Sequence, residues 1–291
     1  MTSSIDTTVG FVGVGRMGGA MARCVRNAGH RVVATDASKA TLEALVTEAG
    51  VEPAATAGEV ARRSRMVAIV VQDDAQAESV LVGDDGILAN AGAEHVVLIH
   101  STLSIDGLRR LAALASEAGV PLLDAGVSGR EGQRSVGDLC VMVGGPAEAV
   151  ARARPVLEIY GGLVLHLGPI GAGLRAKLAR NAICYLSYLA LYEGLAIAEE
   201  AGIRRQDMDR ILEHTGLRSV AMNAYLERRS TTMRPQDASD EENTRSAAFS
   251  AKIGRKDIQA AHAFARELGL DLHALPAAIH SMDAIFGAPK S

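Results

Sequence analysis

Residues 10–18 read Gly-Phe-Val-Gly-Val-Gly-Arg-Met-Gly, and this stretch decides how the rest of the chain is interpreted. It places the spacing Gly-x-Gly-x-x-Gly at Gly13, Gly15 and Gly18, after an apolar strand-like run and before a helix-like stretch that begins at Met17. The first glycine permits a tight turn, the second lets the backbone approach a pyrophosphate, and the third lets a helix pack closely on a strand. The spacing therefore predicts a phosphate-binding loop at the start of a helix, with a glycine-rich turn that binds no ligand as the alternative.

An aspartate stands where the partner of such a loop is expected. Asp36 ends the next predicted strand, and a carboxylate there can accept hydrogen bonds from both hydroxyls of an adenosine ribose. A 2′-phosphate would face its negative charge, and residue 37 is alanine rather than arginine, although Lys39 follows closely. The sequence predicts NAD in preference to NADP, and a solvated turn aspartate is the alternative. The predicted cofactor-binding residues in this region are Gly13, Gly15, Arg16, Met17, Gly18 and Asp36.

Short β-branched runs alternate with amphipathic helical stretches over about the first 167 residues. The third run, Met-Val-Ala-Ile-Val-Val, is apolar without alternation, as expected for a strand covered by helices on both faces. This order is typical of a parallel sheet with helices on its faces, and with the glycine loop it indicates a Rossmann-type doubly wound sheet. We predict strands at residues 9–14, 31–35, 66–71, 96–100, 121–124, 139–143 and 164–167.

After Gly171 helical periodicity continues to Phe286. The first helix, over about residues 174–200, is apolar nearly all round, so we expect it to be buried between two domains or against another subunit. Residues 227–245 are polar and charged and are expected to form a surface loop. The sequence thus predicts an α/β chain with two domains. These are a dinucleotide-binding Rossmann domain in residues 1–168 and an all-helical substrate and oligomerisation domain in residues 169–291. We expect copies of the chain to form a homodimer or homotetramer.

Composition excludes several classes of protein. The 30 basic and 34 acidic side chains give a net charge of −4, which disfavours nucleic-acid binding. The three cysteines and eight histidines show no spacing typical of a disulfide framework or a metal site. The most apolar stretch, residues 182–198, contains Glu193 and is shorter than a bilayer span. A strand begins by Val9 and leaves no room for a leader, so we expect a cytoplasmic protein. From the cysteine and histidine spacing and the short apolar stretch, we also expect it to bind no metal and no membrane.

Two further clusters predict a reaction site. Ser128 and Gly129 end the run Asp-Ala-Gly-Val-Ser-Gly at 124–129, where a strand enters a glycine-rich turn that can bind a carboxylate. Lys177 and Asn181 lie four residues apart, and therefore on one face, of the long apolar helix. An ammonium group is costly to bury in such an apolar helix unless it has a partner or a function. Burial would also lower the pKa of Lys177 toward neutrality, which a proton donor to an alkoxide requires. For Ser128 the alternative is a role in turn capping, and for Lys177 it is a solvated surface charge.

These residues give the chain a resemblance to the β-hydroxyacid dehydrogenase family, which includes 3-hydroxyisobutyrate dehydrogenase and tartronate semialdehyde reductase. The resemblance covers nearly the whole chain and follows the family's order. It implies reversible hydride transfer between NAD and a small anionic β-hydroxy acid or semialdehyde, with Lys177 facing the dinucleotide across a cleft. The segments that carry it are residues 10–18, 101–104, 124–129, 173–181 and 249–257.

The resemblance also implies roles for single residues. In similar enzymes the lysine that matches Lys177 is the catalytic acid/base, and the asparagine that matches Asn181 binds the substrate. Residues 128–129 match the turn that holds the substrate carboxylate. Thr102 matches a residue beside the nicotinamide ribose, and Lys256 matches a lysine near the nicotinamide end.

Departures from the family's pattern surround the substrate. Ile99 and Ile105 replace the aspartate and proline usual around the Ser-Thr pair, and Arg180 stands where many relatives have a second asparagine. The substrate turn continues with Arg130 rather than glycine, and Arg134 follows. Because a guanidinium can bind a carboxylate or sulfonate through two hydrogen bonds, either arginine of this turn is a candidate for reading a second anionic group on the substrate. A surface ion pair with a neighbouring acid is the alternative.

Two other functions share parts of this pattern. Imine reductases resemble the same fold and glycine loop, but they usually replace the lysine that matches Lys177. A dinucleotide-binding sensor without turnover is the second alternative. The lysine therefore argues against an imine reductase, whereas a Lys177→Met variant separates an enzyme, which would lose most of its rate, from a sensor, which has no rate to lose.

Overall fold

The computed structural model of the chain describes residues 8–129, 137–219, 222–223, 225–226 and 241–289. The chain divides into two compact units. The first comprises Met1–Gly129 and Ser135–Lys177, and the second comprises Arg130–Arg134 and Leu178–Ser291.

The first unit contains one eight-stranded sheet with helices between its strands. Its strands are β1 (Val9–Val12), β2 (Val32–Thr35), β3 (Glu52–Pro53), β4 (Met66–Ile69), β5 (Val96–Ile99), β6 (Leu122–Ser128), β7 (Cys140–Gly144) and β8 (Leu163–His166). Its helices are α1 (Arg16–Asn27), α2 (Lys39–Ala49), α3 (Ala57–Arg63), α4 (Asp74–Leu81), α5 (Ile105–Glu117) and α6 (Ala147–Tyr160).

The strand order is β3-β2-β1-β4-β5-β6-β7-β8, and the pairs are parallel except for β6 with β7. Strand β1 pairs with β2 on one side and with β4 on the other, so the order of the chain reverses between β1 and β4. In open sheets of this kind, ligands bind outside the carboxyl ends of the strands at such a reversal. The predicted doubly wound sheet is therefore confirmed, and its reversal lies beside the glycine loop.

The predicted strands all occur, with different ends. Strand β1 stops at Val12 because the glycine turn follows, whereas β6 continues past Asp124 to Ser128. Gly126 is a weak strand former, but antiparallel pairing of β6 with β7, from Asp124 opposite Gly144 to Ser128 opposite Cys140, overrides that preference. The two-residue strand β3 has no sequence signal and was not predicted.

A buried histidine connects three elements of this unit. His100 follows β5, and its Nδ1 donates to the carbonyl oxygen of Ala125 in β6 at 2.6 Å, the only role that a carbonyl partner allows. Its Nε2 therefore accepts from the Tyr160 hydroxyl of α6 at 3.1 Å, and the two rings meet edge to face. Burial lowers the pKa of His100 from 6.5 to about 4 and raises the pKa of Tyr160.

The lowered pKa of His100 predicts acid lability. The unfolded chain takes up this proton near pH 6.5 and the folded chain only near pH 4, so the stabilisation from neutral His100 is complete above pH 6.5 and is lost as the pH falls toward 4. At pH 5 the expected loss is about 2 kcal/mol relative to pH 7. Urea unfolding at both values, compared with a His100→Gln variant, measures it: the wild type should lose about 2 kcal/mol more than the variant. Equal losses would show that His100 does not cause the pH dependence of the free energy of unfolding.

The second unit is helical in its described part. Helix α7 (Ala172–Glu200) begins in the first unit and continues into the second, where α8 (Arg205–His214), α9 (Glu241–Glu267) and α10 (Ala274–Phe286) follow. Tyr188 of α7 stacks on Tyr225, with ring centroids 5.1 Å apart. Arg255 of α9 pairs with Asp283 of α10 at 2.7 Å. The core comprises Cys184, Tyr188, Leu189, Leu191, Tyr225, Ala251, Ile258, Ala265, Leu275, Ala278, Met282 and Ile285.

One sequence expectation needs correction in this unit, and another stays a prediction. The polar stretch 227–245 was expected to be a loop, but α9 already begins at Glu241; residues 227–240 lie outside the described residues. Helix α7 was expected to be buried between two domains or against another subunit; Ile183 and Ile197 are 70% and 72% exposed in the single chain, so their burial by a second subunit stays a prediction. It is also the one helix in the described ranges that is long and apolar enough to cross a membrane, a test that core helices of non-membrane proteins also pass, and 39% of its most apolar window is buried.

Candidate active site

The glycine loop connects β1 to α1 in a conformation that its sequence requires. Gly13 has a φ of +88°, in the left-handed region that favours glycine, and a Cβ there would overlap the carbonyl oxygen of Val70 after β4. A Cβ at Gly18 would overlap the carbonyl oxygen of Gly13, so α1 can approach the loop only because residue 18 is glycine. Around Gly15, by contrast, a Cβ would meet nothing within 4 Å. The loop is therefore tightly packed on the protein side and open at its middle glycine.

Helix α1 begins directly at this open position. Its N-cap is Gly15, which supplies no side-chain cap, and its first turn contains no acidic residue. Helix N-termini have N–H groups without helical acceptors and a positive partial charge, so they attract anions. Arg16 and Met17, which start the helix, are both exposed.

Asp36 connects the loop to the end of β2. Its Oδ2 accepts from the Val14 backbone N–H at 2.7 Å, and its Oδ1 accepts from the Ser38 N–H at 2.8 Å. Each carboxylate oxygen has further acceptor capacity, and the side chain is half-buried. The open glycine, the uncapped helix and this oriented carboxylate together fit a dinucleotide, with the pyrophosphate at α1 and a ribose at Asp36.

Asp124 fixes the start of helix α7 on the sheet. This buried carboxylate accepts from the backbone N–H of Gly171 and of Leu174, each at 2.6 Å. It therefore satisfies donors that the first turn of a helix otherwise leaves without partners. Burial raises the pKa of Asp124, against the opposing effect of these backbone N–H groups. The bonds set the position of α7 relative to β6, on which Asp124 lies.

Lys177 lies against the continuation of that same strand. Its Nζ donates to the carbonyl oxygen of Val127 at 2.7 Å, and a Cβ added at Gly126 would lie 3.1 Å from the Cβ of Lys177. The glycine thus leaves room for the lysine stem. The expected burial is found in part, because the side chain is half-buried. The structure places the ammonium group beside the backbone that leads directly into Ser128 and Gly129.

The other predicted residues of this unit lie at strand ends. Ser128 and Gly129, at the end of β6, are half-buried. Thr102 is half-buried and follows β5. The preceding residue, Ser101, is fixed by two bonds between its hydroxyl and the backbone of Val71, each 2.8 Å long.

A polar cluster in the second unit includes the other predicted residues. Asn181 is buried, and its Nδ2 donates to Asp257 Oδ2 at 2.8 Å. Lys256 Nζ lies 3.5 Å from Asp257 Oδ1. Arg180 Nη1 donates to Asn181 Oδ1 at 3.2 Å. The cluster joins α7 to α9, and Asn181 connects Arg180 to the carboxylate of Asp257.

The sequence does not single out two of these contributors: it marks Asp124 only as the start of a glycine-rich run and Asp257 only as the neighbour of Lys256. Nor does it mark His100, which lies in the core of the first unit rather than at the site. Each of the three bonds to a group distant in sequence, and no local pattern marks such pairs. Arg130 and Arg134, the candidates for a second anion site, lie outside the described residues.

Comparison with known proteins assigns the class and then the family. The family model for the NAD-binding domain of 6-phosphogluconate dehydrogenase matches residues 8–168, and the model for the NAD-binding domain of NADP-dependent 3-hydroxyisobutyrate dehydrogenase matches residues 171–286. With the loop geometry above, these matches define an NAD(P)-dependent oxidoreductase. The chain belongs to the β-hydroxyacid dehydrogenase family.

Known relatives match this chain over most of its length. A 3-hydroxyisobutyrate dehydrogenase of Pseudomonas aeruginosa is 35% identical over 75% of this chain and 73% of its own. An NAD-dependent L-serine dehydrogenase of the same organism is 31% identical over 75% of this chain and 72% of its own. The structure of a Mycobacterium tuberculosis 3-hydroxyisobutyrate dehydrogenase with L-serine superposes with a TM-score of 0.78 at 26% identity, over 97% of this chain and 94% of that one.

Proposed function

We propose that this enzyme oxidises a small β-hydroxy acid with NAD and reduces the corresponding semialdehyde in the reverse direction, with Lys177 as the acid/base. The observation that carries the proposal is the Lys177 ammonium group, held 2.7 Å from the Val127 carbonyl beside the turn at residues 128–129. The relatives described above are named for 3-hydroxyisobutyrate and L-serine. Both are β-hydroxy acids with a primary alcohol, which supports the same substrate class here.

In this proposal, each residue of the chain has a defined task. Ser128 and Gly129 bind the substrate carboxylate, and Asn181, one helical turn beyond Lys177, orients the substrate. As the carbinol carbon loses its hydride, the hydroxyl proton passes to the neutral Lys177 amine, and the ammonium form returns it in the reverse reaction. The bound nicotinamide ring supplies the hydride acceptor or donor. The cofactor is held by Gly13, Gly15, Arg16, Met17, Gly18, Asp36, Thr102 and Lys256.

A substrate panel tests the proposal. The purified protein is assayed with 3-hydroxyisobutyrate, L-serine, 3-hydroxypropionate and glycerate in the presence of NAD or NADP, by absorbance of the reduced nicotinamide. A cyclic imine is assayed with both reduced cofactors. We expect NAD reduction with at least one hydroxy acid and no imine reduction. Imine reduction without hydroxy-acid turnover, or dinucleotide binding without any turnover, would contradict the proposal.

The preference for NAD is expected to depend on Asp36. Replacing it by asparagine removes the charge that repels a 2′-phosphate and weakens the bonds to the ribose, so kcat/KM with NAD should fall about 10- to 100-fold and the NADP/NAD ratio should rise at least tenfold. A Lys39→Ala variant is the control and should leave the NAD rate unchanged. Steady-state kinetics with both cofactors measure these values. An unchanged cofactor ratio in Asp36→Asn would remove the assigned role of the carboxylate.

We also propose that the enzyme is a cytoplasmic homodimer or homotetramer. The exposed Ile183 and Ile197 support it, because they lie on one apolar helix and would be covered by a second subunit. The three cysteines are not joined in disulfides within the part of the chain that the structure describes, which suits a reducing compartment.

A further inference from the structure

Arg180 departs from the family's usual asparagine and lies among the residues assigned to the site. On helix α7 it follows Lys177 by three residues and directly precedes Asn181, and residues three apart on a helix are neighbours on its surface. Its guanidinium is half-buried, and Nη1 donates to Asn181 Oδ1 at 3.2 Å. This bond occupies one of the five N–H donors of an arginine.

Asp257, the described carboxylate of this polar cluster, contacts Asn181 and Lys256 rather than Arg180. Asp257 accepts from Asn181 Nδ2 at 2.8 Å and lies 3.5 Å from Lys256 Nζ. No described acidic side chain forms an ion pair with Arg180. The donation to Asp257 also fixes the Asn181 amide, because its NH₂ group must face the carboxylate and its oxygen must then face Arg180. The amide thereby orients a guanidinium that forms no ion pair with a described carboxylate.

A guanidinium stays charged near neutral pH, so Arg180 keeps its positive charge whatever the state of its neighbours. A half-buried cation that forms no ion pair with a described carboxylate has lost part of its hydration, so an anionic ligand is favoured there. The planar edge of a guanidinium suits a carboxylate in particular.

We propose that Arg180 binds a second anionic group on the substrate, so that the preferred substrates are β-hydroxy acids with a second carboxylate or a group of the same charge. The inference rests on the proposed function of the site. It assigns the recognition of the second anion to helix α7, where Asn181 orients the guanidinium; the sequence candidates Arg130 and Arg134 lie outside the described residues.

The test uses two substrates of the same shape that differ by one charge. These are 2-(hydroxymethyl)succinate and its analogue with a carboxamide in place of the side-chain carboxylate, with 3-hydroxyisobutyrate as the reference. In the wild type we expect kcat/KM to favour the diacid over the amide about 10- to 100-fold. Arg180→Gln keeps an N–H for Asn181 but lacks the charge, and should reduce this preference to within about threefold, whereas Arg180→Lys should retain part of it. The exposed Arg266→Gln variant on α9 is the matched control and should keep the full preference.

Three results would overturn the inference. These are equal use of the diacid and amide by the wild type, a preference that survives in Arg180→Gln, and an equal loss for both substrates in that variant, which would assign Arg180 to the common carboxylate. Thermal melting and NADH binding show whether the variants fold; if Arg180→Gln does not, the wild-type ratio and Arg180→Lys decide. Turnover of 3-hydroxyisobutyrate without a charge preference overturns this inference alone, whereas no turnover of any β-hydroxy acid overturns the proposed function.

Discussion

Replacing Lys177 by methionine is expected to lower kcat about 10²- to 10⁴-fold, the usual contribution of a general acid/base, while the affinity for NADH stays within about threefold of the wild type. Methionine fills a similar volume beside Gly126 but cannot accept the hydroxyl proton. Single-turnover rates with a β-hydroxy acid measure the chemical loss, and NADH fluorescence titration measures the binding.

Two further variants show what the lysine contributes. Lys177→Arg keeps the positive charge but does not release a proton near neutral pH, so it should be about as slow as Lys177→Met. Lys252→Met removes an exposed lysine from α9 and should leave the rate unchanged. If Lys177→Met keeps its rate within tenfold of the wild type, another group moves the proton and the assignment is wrong.

Replacing Asp124 by asparagine is expected to destabilise the protein by about 1 to 3 kcal/mol. The carboxylate accepts one backbone N–H on each oxygen, at Gly171 and Leu174. An amide keeps one acceptor and turns its NH₂ group toward the other N–H, so one charged hydrogen bond is lost and buried donors face each other. Urea unfolding measures the change. Because these bonds hold the start of α7, kcat should also fall in the variant that remains folded.

A surface aspartate supplies the comparison for this prediction. Asp84 is exposed, and Asp84→Asn should change the free energy of unfolding by no more than about 0.5 kcal/mol. A similarly small change in Asp124→Asn would mean that α7 does not depend on this carboxylate for its position.

The parts of the fold that follow from local chemistry were predictable. The glycine loop could be recognised because a left-handed residue at Gly13 and a close helix approach at Gly18 both demand glycine at fixed spacing. The strands could be recognised because a strand covered on both faces is continuously apolar, as in β4. Their ends could not, because pairing with a distant strand determines them, as it does where β7 extends β6 through Gly126.

The supporting residues of the site illustrate the same limit. Lys177 and Asn181 could be recognised from their helical spacing and polarity in an apolar helix. Their partners could not, because Val127 lies 50 residues from Lys177 and Asp257 lies 76 residues from Asn181 in sequence. Only the packing of the sheet against α7, and of α7 against α9, brings these groups together. The sequence marks Arg180 only as a departure from the family's usual asparagine, and the structure adds that its guanidinium bonds to Asn181.

The central claim is that the Lys177 amine meets the reacting hydroxyl group of a β-hydroxy acid. A crystal structure of the complex with NADH and 3-hydroxyisobutyrate, a pair that cannot react, tests it most directly. We expect the substrate hydroxyl oxygen about 3 Å from Lys177 Nζ and the substrate carboxylate at Ser128 and Gly129. A hydroxyl group beyond hydrogen-bond reach of Lys177, with the amine still bound only within the protein, would contradict the claim.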